Sequence, residues 1–132
     1  MFKSISLAEL IGAITENVET NTGIKCCDTI PAEIQEPYYY VEITEKIPLY
    51  NKLFEQDSFV VRIHAMPLNR ETMAPTYGML HKLEESLMQE IDLPEGFELF
   101  TQQSNGIQKL EIEEFNETHT VAIYNFIVGC AN

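Results

Sequence analysis

The feature that most constrains the fold is an apolar run near the end of the chain, residues 120–128. Successive side chains of a β-strand point to opposite faces, and here both sets are mostly apolar. Such a strand lies centrally in its sheet or is buried on both faces. Two helices in a chain of 132 residues can cover one face of a sheet. The second face is then either only partly covered or covered by a partner subunit.

Two amphipathic helices are predicted, at residues 7–21 and 72–90. Ser6 and Glu9 have the spacing of a capping box, in which each side chain accepts a hydrogen bond from the other's backbone amide. Apolar residues then recur at helical spacing, and Gly23 can end the helix in the left-handed conformation. Pro75 suits the first turn of the second helix, where a missing amide costs nothing.

A short strand at residues 24–27 precedes a long β-hairpin, whose strands are predicted at residues 38–47 and 53–66 with a turn at 48–51. Strict alternation places Tyr39, Val41, Ile43 and Ile47 on one face of the first strand and Tyr40, Glu42, Thr44 and Lys46 on the other. In the second strand it places Phe59, Val61, Ile63 and Ala65 on one face and Ser58, Val60, Arg62 and His64 on the other.

The remaining chain predicts strands at residues 97–103 and 107–115, separated by a turn at Ser104-Asn105-Gly106, and a final strand at 119–129. The predicted fold class is therefore α+β: a mostly antiparallel sheet with a long β-hairpin and two helices packed on one face. The length suits a single α+β domain spanning residues 1–132.

The charge balance is strongly acidic, with 8 basic and 21 acidic residues and a net charge of -13. Phosphate backbones and anionic membrane surfaces are bound by Lys and Arg, so sequence-specific nucleic-acid binding and membrane binding are both disfavoured. No apolar run approaches the length of a membrane span. The acidity indicates either simple solubility or a need to lie near a polyanion without binding it.

No catalytic, cofactor or metal motif is readable, so the prediction is a protein that is not an enzyme and has no cofactor. The three cysteines do not form a disulfide framework, and Cys26 and Cys27 are more typical of a strand core than of a reactive thiol, despite the neighbouring Lys25. The histidines match no metal-ligand spacing. Glu55 and Asp57 share a strand face, which in so acidic a chain indicates an outward face more than a cation site.

The order of elements carries a family resemblance. Its pieces are the helix of residues 7–21, the strand of 24–27, the segments Thr29-Ile30-Pro31 and Glu36-Pro37-Tyr38, the hairpin segments 39–43 and 59–64, and the closing segment 121–126. In this order the chain resembles the tail terminator (tail completion) proteins of long-tailed bacteriophages. The resemblance leaves open whether the chain comes from a phage or a prophage. The resemblance implies a structural, head-tail joining role in the virion tail, after assembly in the cytoplasm of the bacterial host.

The same resemblance implies a homohexameric ring that caps the tail tube, stops the tube protein from polymerising and contacts a neck or connector protein. DNA would be a partner only in transit through the ring, where an acidic lumen would repel it. Alternatives from other classes are a small cytosolic binding or adaptor protein without catalytic activity, and an enzyme of unrecognised type. The size of the protein in solution distinguishes the ring from both.

The predicted tip of the hairpin is a candidate subunit interface, because it carries Leu49, Tyr50, Leu53 and Phe54. An apolar tip that does not contact its own core marks a surface for another molecule. The alternative is a tip that folds back onto its own helix, and the sequence does not decide between the two.

Overall fold

The computed structural model describes residues 4–33, 35–50, 55–68, 71–112 and 117–130. In chain order these form α1 (Leu7–Thr22), β1 (Lys25–Cys27), β2 (Tyr38–Tyr50), β3 (Glu55–Met66), α2 (Ala74–Ser86), β4 (Phe97–Ile112) and β5 (Glu117–Cys130). The strands make one sheet in the order β1-β2-β3-β5-β4, in which β1 pairs with β2 in parallel and every other pair is antiparallel. The predicted α+β class is confirmed.

Helix α1 begins and ends at the predicted signals. The Ser6 hydroxyl accepts a hydrogen bond from the Glu9 amide at 3.0 Å, and the Glu9 carboxylate accepts one from the Ser6 amide at 3.1 Å. Gly23 ends the helix with φ 72°, and its N–H donates to the Glu19 carbonyl at 3.0 Å. These contacts satisfy backbone groups that a helix terminus leaves without partners.

The core lies between the two helices and one face of the sheet. Buried side chains on the helices are Leu10, Ala13, Ile14, Val18, Met79, Leu80, Leu83 and Leu87, and they join a cluster with Tyr39, Val41, Phe59, Val61, Ile63, Ala65, Ala122, Tyr124, Phe126 and Val128 of the sheet. The Tyr39 hydroxyl donates to the Met79 carbonyl at 2.7 Å. The Gln102 side-chain amide donates to the Leu87 carbonyl at 2.9 Å, so β4 is tied to the end of α2.

The alternation predicted for the first hairpin strand is wrong beyond Ile43. The register between β2 and β3 shifts between Ile43 and Glu45, so Lys46 pairs with Phe59 and Ile47 pairs with Ser58. A β-bulge inserts one unpaired residue and reverses which face every later side chain occupies. Lys46 therefore lies on the helix-facing side, with its ammonium 5.8 Å from the centre of the Phe59 ring, and Ile47 lies on the opposite side.

The predicted turn at residues 104–106 is instead a second bulge inside the single long strand β4. Both halves of β4 pair with β5, with Gln103 opposite Asn125 and Ile107 opposite Ala122, and the register shifts between Ser104 and Ile107. Gly106 has φ 100°, which a glycine adopts without strain. The predicted turn at 48–51 is wrong in a similar way, because residues 48–50 continue β2 and pair with β3.

Strand β5 lies between β3 and β4, as its composition predicted. On the helix-facing side Ala122, Tyr124 and Phe126 are buried. On the other side Val121 is buried, whereas Ile123 and Ile127 are half-buried. The face opposite the helices is therefore only partly covered by the described residues of the chain. Neither described helix is long and apolar enough to span a bilayer.

Candidate functional site

The end of the hairpin exposes apolar side chains of β2. We define the hairpin arm as residues 44–50 of β2 together with residues 55–58 of β3. Every residue from 44 to 50 is exposed, and the core cluster reaches no further along β2 than Ile43. Leu49 is 40% exposed and Tyr50 is 57% exposed, at the end of β2. The other two predicted tip residues, Leu53 and Phe54, lie outside the described residues.

The two sides of the hairpin arm differ in chemistry. Pro48 and Tyr50 pair with Asp57 and Glu55 on the helix-facing side, whereas Ile47 and Leu49 lie on the opposite side. Asp57 is only 2% exposed, so its predicted outward position is wrong. Asp57 Oδ1 and Glu55 Oε2 are both buried without a hydrogen-bond partner among the described residues. Within that part of the chain, no group of three or more His, Cys, Asp or Glu side chains could hold a metal ion.

The side of the sheet away from the helices carries a second apolar surface, which we call the open face. It consists of Ile47 and Leu49 of β2, Val60 and Arg62 of β3, Ile123 and Ile127 of β5, and Phe100 of β4. None of these side chains belongs to the helix-facing core cluster. Ile47 is 45% exposed and Phe100 is 43% exposed, while the central members are half-buried.

Phe100 joins the open face because β4 has a bulge there and β5 has a glycine opposite. The β4–β5 register shifts between Leu99 and Thr101, which leaves Phe100 without a partner in the ladder. A side-chain carbon on Gly129 would come within 2.6 Å of the Phe100 ring. Glycine at position 129 is therefore what lets this ring lie close against β5.

Several polar groups around the open face have partners among the described residues. The Asn125 amide donates to the Ser58 hydroxyl at 2.9 Å and to the Phe59 carbonyl at 3.0 Å. Glu42, which pairs across the strands with Arg62, lies 2.8 Å from His64 Nε2. The Nε of Arg62 is buried and has no hydrogen-bond partner in the described structure.

Ion pairs within the described part of the chain are few. Among the described residues, ion pairs are made by His64 with Glu42 and by His81 with Glu85, and no Lys or Arg takes part in one. Lys46 and Lys109 instead lie near the rings of Phe59 and Tyr77, at 5.8 and 6.0 Å from the ring centres.

Cys26 and Cys27 do not have the character of nucleophiles. Burial raises the pKa of the Cys26 thiol to about 12, and burial also raises the pKa of Cys27, although Lys25 opposes that shift. The thiolate is the nucleophilic form, and at neutral pH it is a very small fraction of such a thiol. Cys26 is buried in the core cluster, so it behaves as a small apolar side chain, as its position in a strand predicted.

The amino-acid sequence matches a phage tail terminator family, described as "Putative tail termination protein", over residues 1–131. The chain belongs to this family. Its membership confirms the resemblance that the order of elements predicted, and it points to a structural component of a phage-like virion. No curated protein matches the sequence.

Among solved structures, a chain from the "Virion of native gene transfer agent (GTA) particle" has a similar fold. The two chains are 14% identical, the TM-score is 0.65, and the match covers 96% of this terminator-family chain and 99% of the other. At this level of identity, the match shows a similar fold and carries no conclusion about function. The match extends over nearly the whole of both chains, so it includes the hairpin and both helices.

The sequence predicted the apolar end of the hairpin arm, but it did not predict most of the residues that form the open face. Leu49 and Tyr50 could be predicted because they are apolar residues at the end of a hairpin strand. Phe100 and Ile47 could not, because two bulges decide which face they occupy. Arg62 was placed on the correct face, but no local pattern shows that Glu42, opposite Arg62, lies within 2.8 Å of His64.

Proposed function

We propose that this chain forms a ring of six identical subunits that caps the tail tube, stops further addition of tube protein and contacts the neck. Family membership supports a tail terminator role. The observation that carries the ring is the hairpin arm, whose exposed Ile47, Leu49 and Tyr50 lie beyond the chain's own core. Ile47 and Leu49 lie together on one side of the arm, and an exposed apolar surface of this kind marks a contact with another molecule.

A ring of identical subunits needs two different, complementary surfaces on each subunit, because its contacts run head to tail. The hairpin arm is suited to be one of them, since residues 44–50 are exposed and no described strand pairs with their outer edge. Leu49 and Tyr50 lie on opposite sides of the arm. A neighbouring subunit that surrounds the arm can therefore bury both residues.

The net charge of -13 suits a component through which DNA passes without binding. Non-specific DNA binding depends on Lys and Arg that replace counterions along the phosphate backbone, and this chain has few of either. Carboxylates around the lumen of a ring would repel the DNA and keep its transit free. In this proposal the ring assembles in the host cytoplasm and remains in the virion tail.

Sedimentation of the purified protein over a wide range of concentrations tests the ring. The expected result is a single assembled species of about six times the 15.1 kDa chain mass, in exchange with monomer at low concentration. A strict monomer at every concentration, also in the presence of the tail tube protein, would contradict the proposal.

A further inference from the structure

We propose that Glu55 and Asp57 of the hairpin arm bind a hard divalent cation, Mg²⁺ or Ca²⁺. The inference goes beyond the proposed ring and does not depend on it, because both ligands belong to one strand of one chain. It begins from two carboxylates on the same side of β3. Each has a buried oxygen without a hydrogen-bond partner in the described structure.

Asp57 lies where its neighbours in the sheet offer it few donors. It is only 2% exposed and lies between Pro48 of β2 and Val128 of β5. Proline has no backbone N–H, and the valine side chain is apolar, so neither group can donate to the carboxylate. Burial of a carboxylate without hydrogen bonds or an opposite charge is strongly unfavourable. A bound cation would remove that cost.

Glu55 provides a second carboxylate at a suitable spacing. It precedes Asp57 by two residues in the same strand, so the two side chains share a face and their Cα atoms are about 7 Å apart. Two carboxylate side chains at this spacing can converge on one ion. Glu55 is half-buried and lies opposite Tyr50, at the exposed end of β2. A cation from solvent would therefore enter at the Glu55 end.

The donor set fits a hard cation. The hairpin arm contains no histidine or cysteine, and oxygen ligands alone favour Mg²⁺ or Ca²⁺ over softer metals. Mg²⁺ binds proteins through one or two carboxylates and keeps several of its waters, so a cluster of three acidic ligands is not needed. Lys46, the basic residue of the arm, lies over the Phe59 ring and makes no ion pair in the described structure. The carboxylates are thus not neutralised by the arm itself.

The test measures thermal unfolding of the chain in MgCl₂ or CaCl₂ and in NaCl of the same ionic strength with a chelator. For a dissociation constant near 1 mM, about 10 mM of the divalent cation is expected to raise Tm by about 5 °C. Asp57→Asn should abolish this rise and Glu55→Gln should reduce it. Glu45→Gln removes one charge from the opposite side of the same arm and should keep the full rise. Calorimetric titration should give one ion per chain.

The variants separate a specific site from general screening of the negative charge. If neither divalent cation raises Tm above its value in NaCl, the inference is wrong. It is equally wrong if Asp57→Asn and Glu55→Gln both keep the full rise, because the cations then only screen the net charge. Either result leaves the proposed ring standing. A chain that binds one ion through Asp57 but never assembles would contradict the ring and support the cation site.

Discussion

Replacing Phe126 with alanine is expected to lower the free energy of unfolding by about 3–5 kcal/mol. Phe126 is fully buried in the middle of β5, opposite Phe59 and among the core residues beneath the helices. Its removal loses the burial of a large aromatic ring and leaves a cavity that the surrounding strands cannot fill. The loss corresponds to a fall in Tm of about 12–20 °C, which chemical and thermal unfolding can both measure.

The matched control is Ile127→Ala, one residue further along the same strand. Ile127 lies on the open face and outside the core cluster, so we expect its truncation to cost about 1 kcal/mol or less in unfolding free energy. Comparing the two substitutions thus shows how much each apolar face of β5 contributes to the free energy of unfolding. Equal losses of stability would show that the open face is part of the folded core, against the present account.

Replacing both Leu49 and Tyr50 with serine is expected to reduce assembly about 100-fold while changing the free energy of unfolding by less than about 1 kcal/mol. Both side chains are exposed and lie beyond the core, so the isolated chain does not depend on them. In an assembled ring they would be buried against a neighbour, where an aromatic and an aliphatic anchor each contribute strongly. Sedimentation as a function of concentration measures the loss.

A double variant at other exposed apolar positions, Ile30→Ser with Met88→Ser, controls for lost hydrophobicity. Ile30 is 65% exposed and Met88 is 85% exposed, and neither lies on the hairpin arm or the open face. We expect this control to assemble like the wild-type protein. If it loses as much assembly as the Leu49 and Tyr50 variant, the hairpin arm has no special part in the contact.

The elements that the sequence predicted well are those set by neighbouring residues. The capping box at Ser6 and Glu9 and the left-handed Gly23 depend only on local backbone and side-chain groups, and both form as expected. The buried face of β3 also follows its alternation, because no bulge interrupts the pattern on that strand. The composition of β5 correctly indicated a central position.

What the sequence could not predict depends on pairing between distant strands. The bulge after Ile43 exchanges the faces of Lys46 and Ile47, and it is a property of the β2–β3 register. Ser104-Asn105-Gly106 has the composition of a turn, but β5 is long enough to pair with both halves of β4. The same limit applies to the candidate surfaces: the arm was visible as an apolar strand end, while the open face exists only once four strands are in register.

The most direct test of the account is the length of tail tubes grown from purified tail tube protein, measured by electron microscopy with and without this chain. The account predicts that added protein arrests elongation, so that tubes become shorter and carry an extra ring of density at one end. Tubes that grow to the same length with bare ends, in the presence of folded protein, would contradict the claim that this chain terminates the tail.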